Sequence, residues 1–124
     1  MASSKEYLIY VLELLREAKD ITYKKMMGEY MLYKDGVLFG GVYDDRFLVK
    51  KVKSLEDRGF KEQIPYPGAK PMLLVDIEDP DEISELVTIL YKELKKWWTK
   101  NYFLIVYIIE KTLLSRGYQD GRKQ

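Results

Sequence analysis

The 124 residues include no cysteine and no histidine. The first absence excludes disulfides, thiolate nucleophiles and iron–sulfur clusters, and the second removes the imidazole base and the usual zinc sites. Much hydrolase chemistry leaves with them, so an enzyme built on this sequence would have to use carboxylate, Lys, Tyr or Ser/Thr groups. No Gly-x-x-x-x-Gly-Lys-Ser/Thr loop occurs, and no glycine run leads from a strand into a helix to cradle phosphate. Long hydrophobic runs are missing too. The longest, Tyr102 to Ile109, is eight residues, against the ~20 that a membrane span needs. Met1-Ala2-Ser3-Ser4-Lys5-Glu6 lacks the cationic start and apolar stretch of a secretory signal, so the expected location is the cytoplasm.

What is present suits one globular domain: 47% apolar and 33% charged residues in a chain of ordinary domain length. Net charge is +1, which argues against a protein that grips nucleic acid mainly through its field. That total hides an asymmetry. Residues 1–90 carry 13 basic and 17 acidic side chains, whereas residues 91–124 carry 8 and 3. The expected organisation is an α+β domain over residues 1–96, followed by an apolar and basic extension, residues 97–124, packed on the domain or on a second copy.

The first helix has two candidate caps. Ser3 stands three residues before Glu6, as a capping box requires, with Ser4 as the alternative. Tyr7, Leu8, Val11, Leu12 and Leu15 form one apolar stripe, and Ile9, Tyr10 and Leu14 broaden it, as expected of a helix pressed into a sheet. Turns then follow at strand spacing. Asp35-Gly36 between two apolar runs is a strong signal for a two-residue type I′ hairpin, and Asp44-Asp45 serves similarly. An antiparallel meander of three strands results, with an earlier strand around Tyr23–Met27 broken from it at Gly28. Gly40-Gly41 inside the meander reads as a bulge or a place of close approach.

Residues 51–71 read as a connector in which Ser54–Arg58 forms a helical turn, while Gly59, Pro65, Pro67, Gly68 and Pro71 forbid long regular structure. A functional loop could sit there. Met72–Val75 is a short strand. Asp79-Pro80-Asp81-Glu82 then writes a helix start, with Asp as N-cap, Pro at the first helical position and acids at the positive end of the dipole. Ile83, Leu86, Val87, Leu90, Tyr91, Leu94 and Trp97 keep the helical period. The last segment reads as a helix over residues 102–116 between Asn101 and Gly117, although its aromatic and β-branched residues suit a strand almost as well.

No motif assembles a catalytic site, a metal site or a cofactor site. The acidic cluster Asp76, Glu78, Asp79, Asp81 and Glu82 lacks the ligand spacing and turn glycine of a calcium loop and is read as helix capping. Eleven tyrosines raise the possibility of base stacking on an exposed sheet face, but filling the sheet–helix interface is the ordinary role of such side chains. Trp97, Trp98 and the apolar eight, flanked by Lys95, Lys96, Lys100, Lys111 and Arg116, have the composition of a membrane-surface helix, yet the polar residues fall on no single face. The candidate interaction surface therefore comprises Tyr30, Tyr33, Tyr43, Lys50, Trp97 and Trp98.

The stretch from Met26 to Lys50, with its Met-Leu-Tyr-Lys-Asp-Gly-Val-Leu-Phe-Gly-Gly-Val-Tyr-Asp-Asp core at residues 31–45, resembles the N-terminal domain of the TfoX/Sxy family of bacterial competence regulators. The likeness continues through Tyr66-Pro67-Gly68-Ala69-Lys70-Pro71-Met72 and covers roughly residues 3–95. The commoner family form opens Met-Phe-Gly-Gly-Tyr-Gly; Met26, Gly28 and Tyr30 match it, while Met27, Glu29 and Met31 depart, as in a subgroup of short stand-alone members. The resemblance implies a two-layer α+β fold. Members with both family domains act in switching on DNA-uptake genes together with a cyclic-AMP-dependent activator.

The resulting expectation is a non-enzymatic regulatory module without a cofactor, working by contact with a protein partner, such as transcriptional machinery, or by self-association. Direct low-specificity nucleic-acid binding through exposed Tyr and Lys is the alternative. An enzyme binding a small anion near Lys50, Tyr66 and Lys70 is the third.

Overall fold

A computed structural model describes residues 2–115, without the side chains of residues 97–100 and 113–115. The chain up to Leu94 forms one compact unit, and the chain from Lys95 onward a second.

The first unit is a six-stranded antiparallel sheet with helices on one face. Helix α1 spans Lys5–Leu14; strands β1 to β4 are Ile21–Met26, Glu29–Lys34, Val37–Val42 and Phe47–Val49; β5 and β6 are Glu62–Gln63 and Met72–Leu74. Helix α2, Pro80–Lys100, runs from the first unit into the second, and α3 is Tyr102–Ser115. The strand order is β1-β2-β3-β4-β6-β5. The meander and the Met72 strand are as the sequence predicts. The two-residue β5 is additional, and the apolar eight are helical rather than extended.

Three two-residue turns of the I′ kind join the first four strands. Asp35 and Gly36 have φ of 47° and 79°, Asp44 and Asp45 have 51° and 53°, and Met27 and Gly28, between β1 and β2, have 53° and 84°. This geometry matches the strand twist but requires the left-handed region at both positions. Met27 meets the requirement with an unbranched side chain that is 96% exposed and gains no packing. A side chain in that region costs on the order of 1 kcal/mol. Met27→Gly is accordingly expected to raise stability by about 0.5–1 kcal/mol, or roughly 2–5 °C in Tm. A thermal melt with no increase would contradict the strain assigned to this turn.

The Asp44-Asp45 turn is held by the chain start. Ser4 N–H donates to Asp45 Oδ1 at 2.8 Å, Asp45 N–H donates to Ser3 Oγ at 3.1 Å, and Asp44 N–H donates to Glu29 Oε1 at 3.3 Å. Ser4 is the helix cap, accepting from Tyr7 N–H. This corrects the preference for Ser3, whose buried hydroxyl instead donates to Glu29 Oε1 at 2.7 Å. The predicted breadth of the α1 stripe is also corrected: Leu14 is buried, but Ile9 and Tyr10 face solvent, and the Tyr10 hydroxyl bonds Glu78 just ahead of α2.

One core joins the two layers. Leu8, Val11 and Leu14 of α1, Ile83, Leu86, Val87 and Leu90 of α2, and Leu32, Phe39, Phe47, Val49 and Leu73 of the sheet belong to it. Helix α2 starts as written in the sequence, with Asp79 Oδ1 accepting from Asp81 N–H at 3.0 Å. Further along, Glu93 caps the 3-10 helix Lys53–Arg58, taking the N–H groups of Lys53 at 2.7 Å and Ser54 at 3.1 Å, as well as the Ser54 hydroxyl.

Candidate interaction surfaces

Strand alternation separates the sheet residues into two sets. Leu32, Gly40, Val49 and Leu73 stand opposite one another along the register and contribute to the helix-facing side. Met31, Gly41, Leu48 and Leu74 make the neighbouring row on the outer face. That face is not bare at its centre, since Leu48 is fully buried although it lies outside the main core.

Tyr43 accounts for part of that cover. Its ring crosses the flat spot left by Gly41, where an added Cβ would stand 2.9 Å from Tyr43 Cε2, and its hydroxyl donates to Met31 Sδ at 3.4 Å. Tyr66 from the β5–β6 loop leans on it, with ring centroids 6.5 Å apart and planes tilted by 46°. Burial, and then the neighbouring Tyr66 and Glu29 groups, push the Tyr43 phenol above its ordinary range.

Arg46, immediately after the Asp44-Asp45 turn, fixes this loop to the sheet. Its guanidinium donates to Gln63 Oε1 at 2.8 Å, to the Ile64 carbonyl at 3.3 Å and to the Pro65 carbonyl at 3.2 Å, while Nε holds the Tyr43 carbonyl at 3.1 Å. No sequence spacing announces this clamp, because its partners are mainly backbone oxygens of distant residues.

The predicted surface residues separate accordingly. Tyr30 is only 5% exposed and belongs to the core, edge-on to Tyr23 at 5.9 Å, so it offers no open ring face. Tyr43, at 7%, is likewise spent on covering the sheet. Tyr33 is half-buried opposite Leu38. Lys50, just beyond β4, is brought together with Tyr66 and Lys70 around one groove. Trp97 and Trp98 lie in α2, with their side chains outside the described residues, as is Gly117. Among the described residues no three acidic groups gather as a metal site would require.

The second unit presents a different surface. Tyr102, Phe103, Leu104, Val106, Tyr107, Ile108 and Ile109 of α3 are all exposed, Phe103 by 84%. A helix apolar on all sides is normally one that something else buries. No helix among the described residues is long and apolar enough to cross a membrane.

Residues 13–71 match the family model of the TfoX N-terminal domain. This span includes β1 to β5, the three tight turns, Arg46 and most of the loop bearing Tyr66, whereas α2 and α3 lie beyond it. No curated protein matches the chain.

Proposed function

We propose, since residues 13–71 are a TfoX N-terminal domain, that this protein is a cytoplasmic, non-enzymatic regulatory module acting by protein–protein contact. Transcription co-regulation is the setting that the family implies. Apolar helix α3 is the contact face, and a second copy of the chain is its partner.

The observation that carries this reading is the exposure of seven large apolar side chains between Tyr102 and Ile109. Those eight positions contain no charged residue, so α3 has little with which to recognise a charged partner. An identical apolar helix complements it and is present at equal concentration. Contiguous apolar patches of this kind mark interaction sites.

Light scattering on the full chain tests the proposal. The expected result is twice the chain mass at micromolar concentration, falling to one chain mass in the Phe103→Glu/Ile108→Glu variant with an unchanged melt of the first unit. A chain that stays at single mass at every soluble concentration would sink self-association. Sedimentation of such a monomer with anionic vesicles would reassign α3 to a lipid surface.

A further inference from the structure

The sheet's outer face carries a second feature, independent of α3. A groove of about 600 Å³ lies between the end of β4 and the β5–β6 loop, and Lys50, Lys51, Tyr66, Lys70 and Met72 are among its lining residues. We propose that this groove binds a small phosphorylated molecule with a flat ring, of the nucleoside monophosphate class.

Charge is the first ground. Three lysines line the groove, of which Lys51 is committed to Glu62 at 2.8 Å, whose carboxylate holds the ammonium above its ordinary range. Lys50 and Lys70 form no ion pair among the described residues. Two lysines without an ion-pair partner among the described residues thus line one concavity in a body where acids outnumber bases over residues 1–90. A phosphate monoester carries close to two negative charges at neutral pH, and lysine serves phosphate as a compact point charge.

The walls supply the second ground. Pro65, Tyr66, Ala69, Pro71 and Met72 surround the cationic groups with apolar surface, and a bare inorganic ion would leave that surface wet. Tyr66 is 58% exposed and is backed by Tyr43, so a ring face remains open to a flat partner. Small-molecule sites typically hold ~300–1,000 Å³ and combine apolar walls with a few charged groups.

Rigidity is the third. Arg46 pins residues 63–65, Ala69 N–H closes a turn on the Tyr66 carbonyl at 3.1 Å, and Gly68 completes it at φ +86°. Pro65, Pro67 and Pro71 stiffen the rest. A preformed groove loses little entropy on binding.

Titration of the ¹⁵N-labelled full chain with AMP, adenosine, inorganic phosphate and a short single-stranded oligonucleotide tests the proposal. Saturable amide shifts with AMP are expected at Lys50, Tyr66, Ala69 and Lys70, with adenosine and phosphate each at least about ten-fold weaker. Lys50→Gln/Lys70→Gln is expected to weaken AMP about ten-fold or more without moving Tm, because both side chains are outside the core. Tyr66→Leu is expected to weaken AMP while leaving phosphate unchanged. Absence of saturation at millimolar AMP, or an affinity indifferent to the lysine pair, overturns the site. Tighter binding of the oligonucleotide, with the steep salt dependence of phosphate-backbone contacts, overturns it in favour of nucleic acid.

Discussion

Phe39→Ala is expected to cost about 3–5 kcal/mol, lowering Tm by roughly 10–20 °C. Phe39 has no exposed surface and ranks among the largest fully buried side chains. It sits where the β2–β3 register slips: Leu32 stands opposite Gly40, but Tyr33 stands opposite Leu38, leaving Phe39 unpaired across that ladder. The Phe39 carbonyl meanwhile accepts Lys50 N–H at 2.8 Å, so the backbone cannot easily collapse into the space that the ring leaves. The loss is large against a total stability of ~5–15 kcal/mol for a domain. Phe103→Ala supplies the contrast, since a ring 84% exposed should contribute less than about 0.5 kcal/mol to the monomer. Urea unfolding of both variants checks the pair. Equal midpoints would remove Phe39 from its assigned place in the core.

The second large effect comes from adding one methyl group. Gly40→Ala would put a Cβ 2.3 Å from the Leu48 carbonyl oxygen and 2.9 Å from Val49 Cα. Both are backbone atoms, so no rotamer change relieves the contact. Strands β3 and β4 would have to part at the Gly40–Val49 pair, at about 3 kcal/mol or more. Gly36→Ala meets nothing within 4 Å and suffers only from its φ of +79°, for about 1 kcal/mol. A denaturant midpoint falling much further for Gly40→Ala than for Gly36→Ala, at constant m, is the expected result. A Gly40→Ala midpoint within error of the parent would show that the two strands do not approach as described.

The features legible in the sequence are those whose cause lies within a few residues. Asp35-Gly36 and Asp79-Pro80 each carry their own conformational requirement and appear where expected. Strand β5 escapes because its two residues owe their state to Met72 and Leu73 across the sheet, and no local pattern records that pairing. The choice of Ser4 over Ser3 was similarly non-local, since Ser3 is claimed by Glu29 and the Val42 carbonyl. Among the candidate site residues, Lys50, Tyr66 and Lys70 could be grouped from the sequence by their relation to the Pro-Gly loop. That Tyr30 and Tyr43 are buried could not be read there, because alternation assigns faces without saying what covers them. The family likeness traced over residues 3–95 is matched by the family model over residues 13–71.

The three tight turns also bear on the order in which the molecule assembles. Strands β1 to β4 pair with one another in sequence order, through closures of two residues each, and contacts this local form early. The clamp from Arg46 reaches residues 17 to 19 positions away, and β6 joins β4 only after the connector is laid down. The groove beside Lys50 is therefore completed late in folding, although Arg46 and the Tyr66–Ala69 turn hold it preformed once the native state is reached. Pulse-labelled amide exchange during refolding would then protect the meander first and the Leu74 amide, which donates to the Lys61 carbonyl beside β5, last.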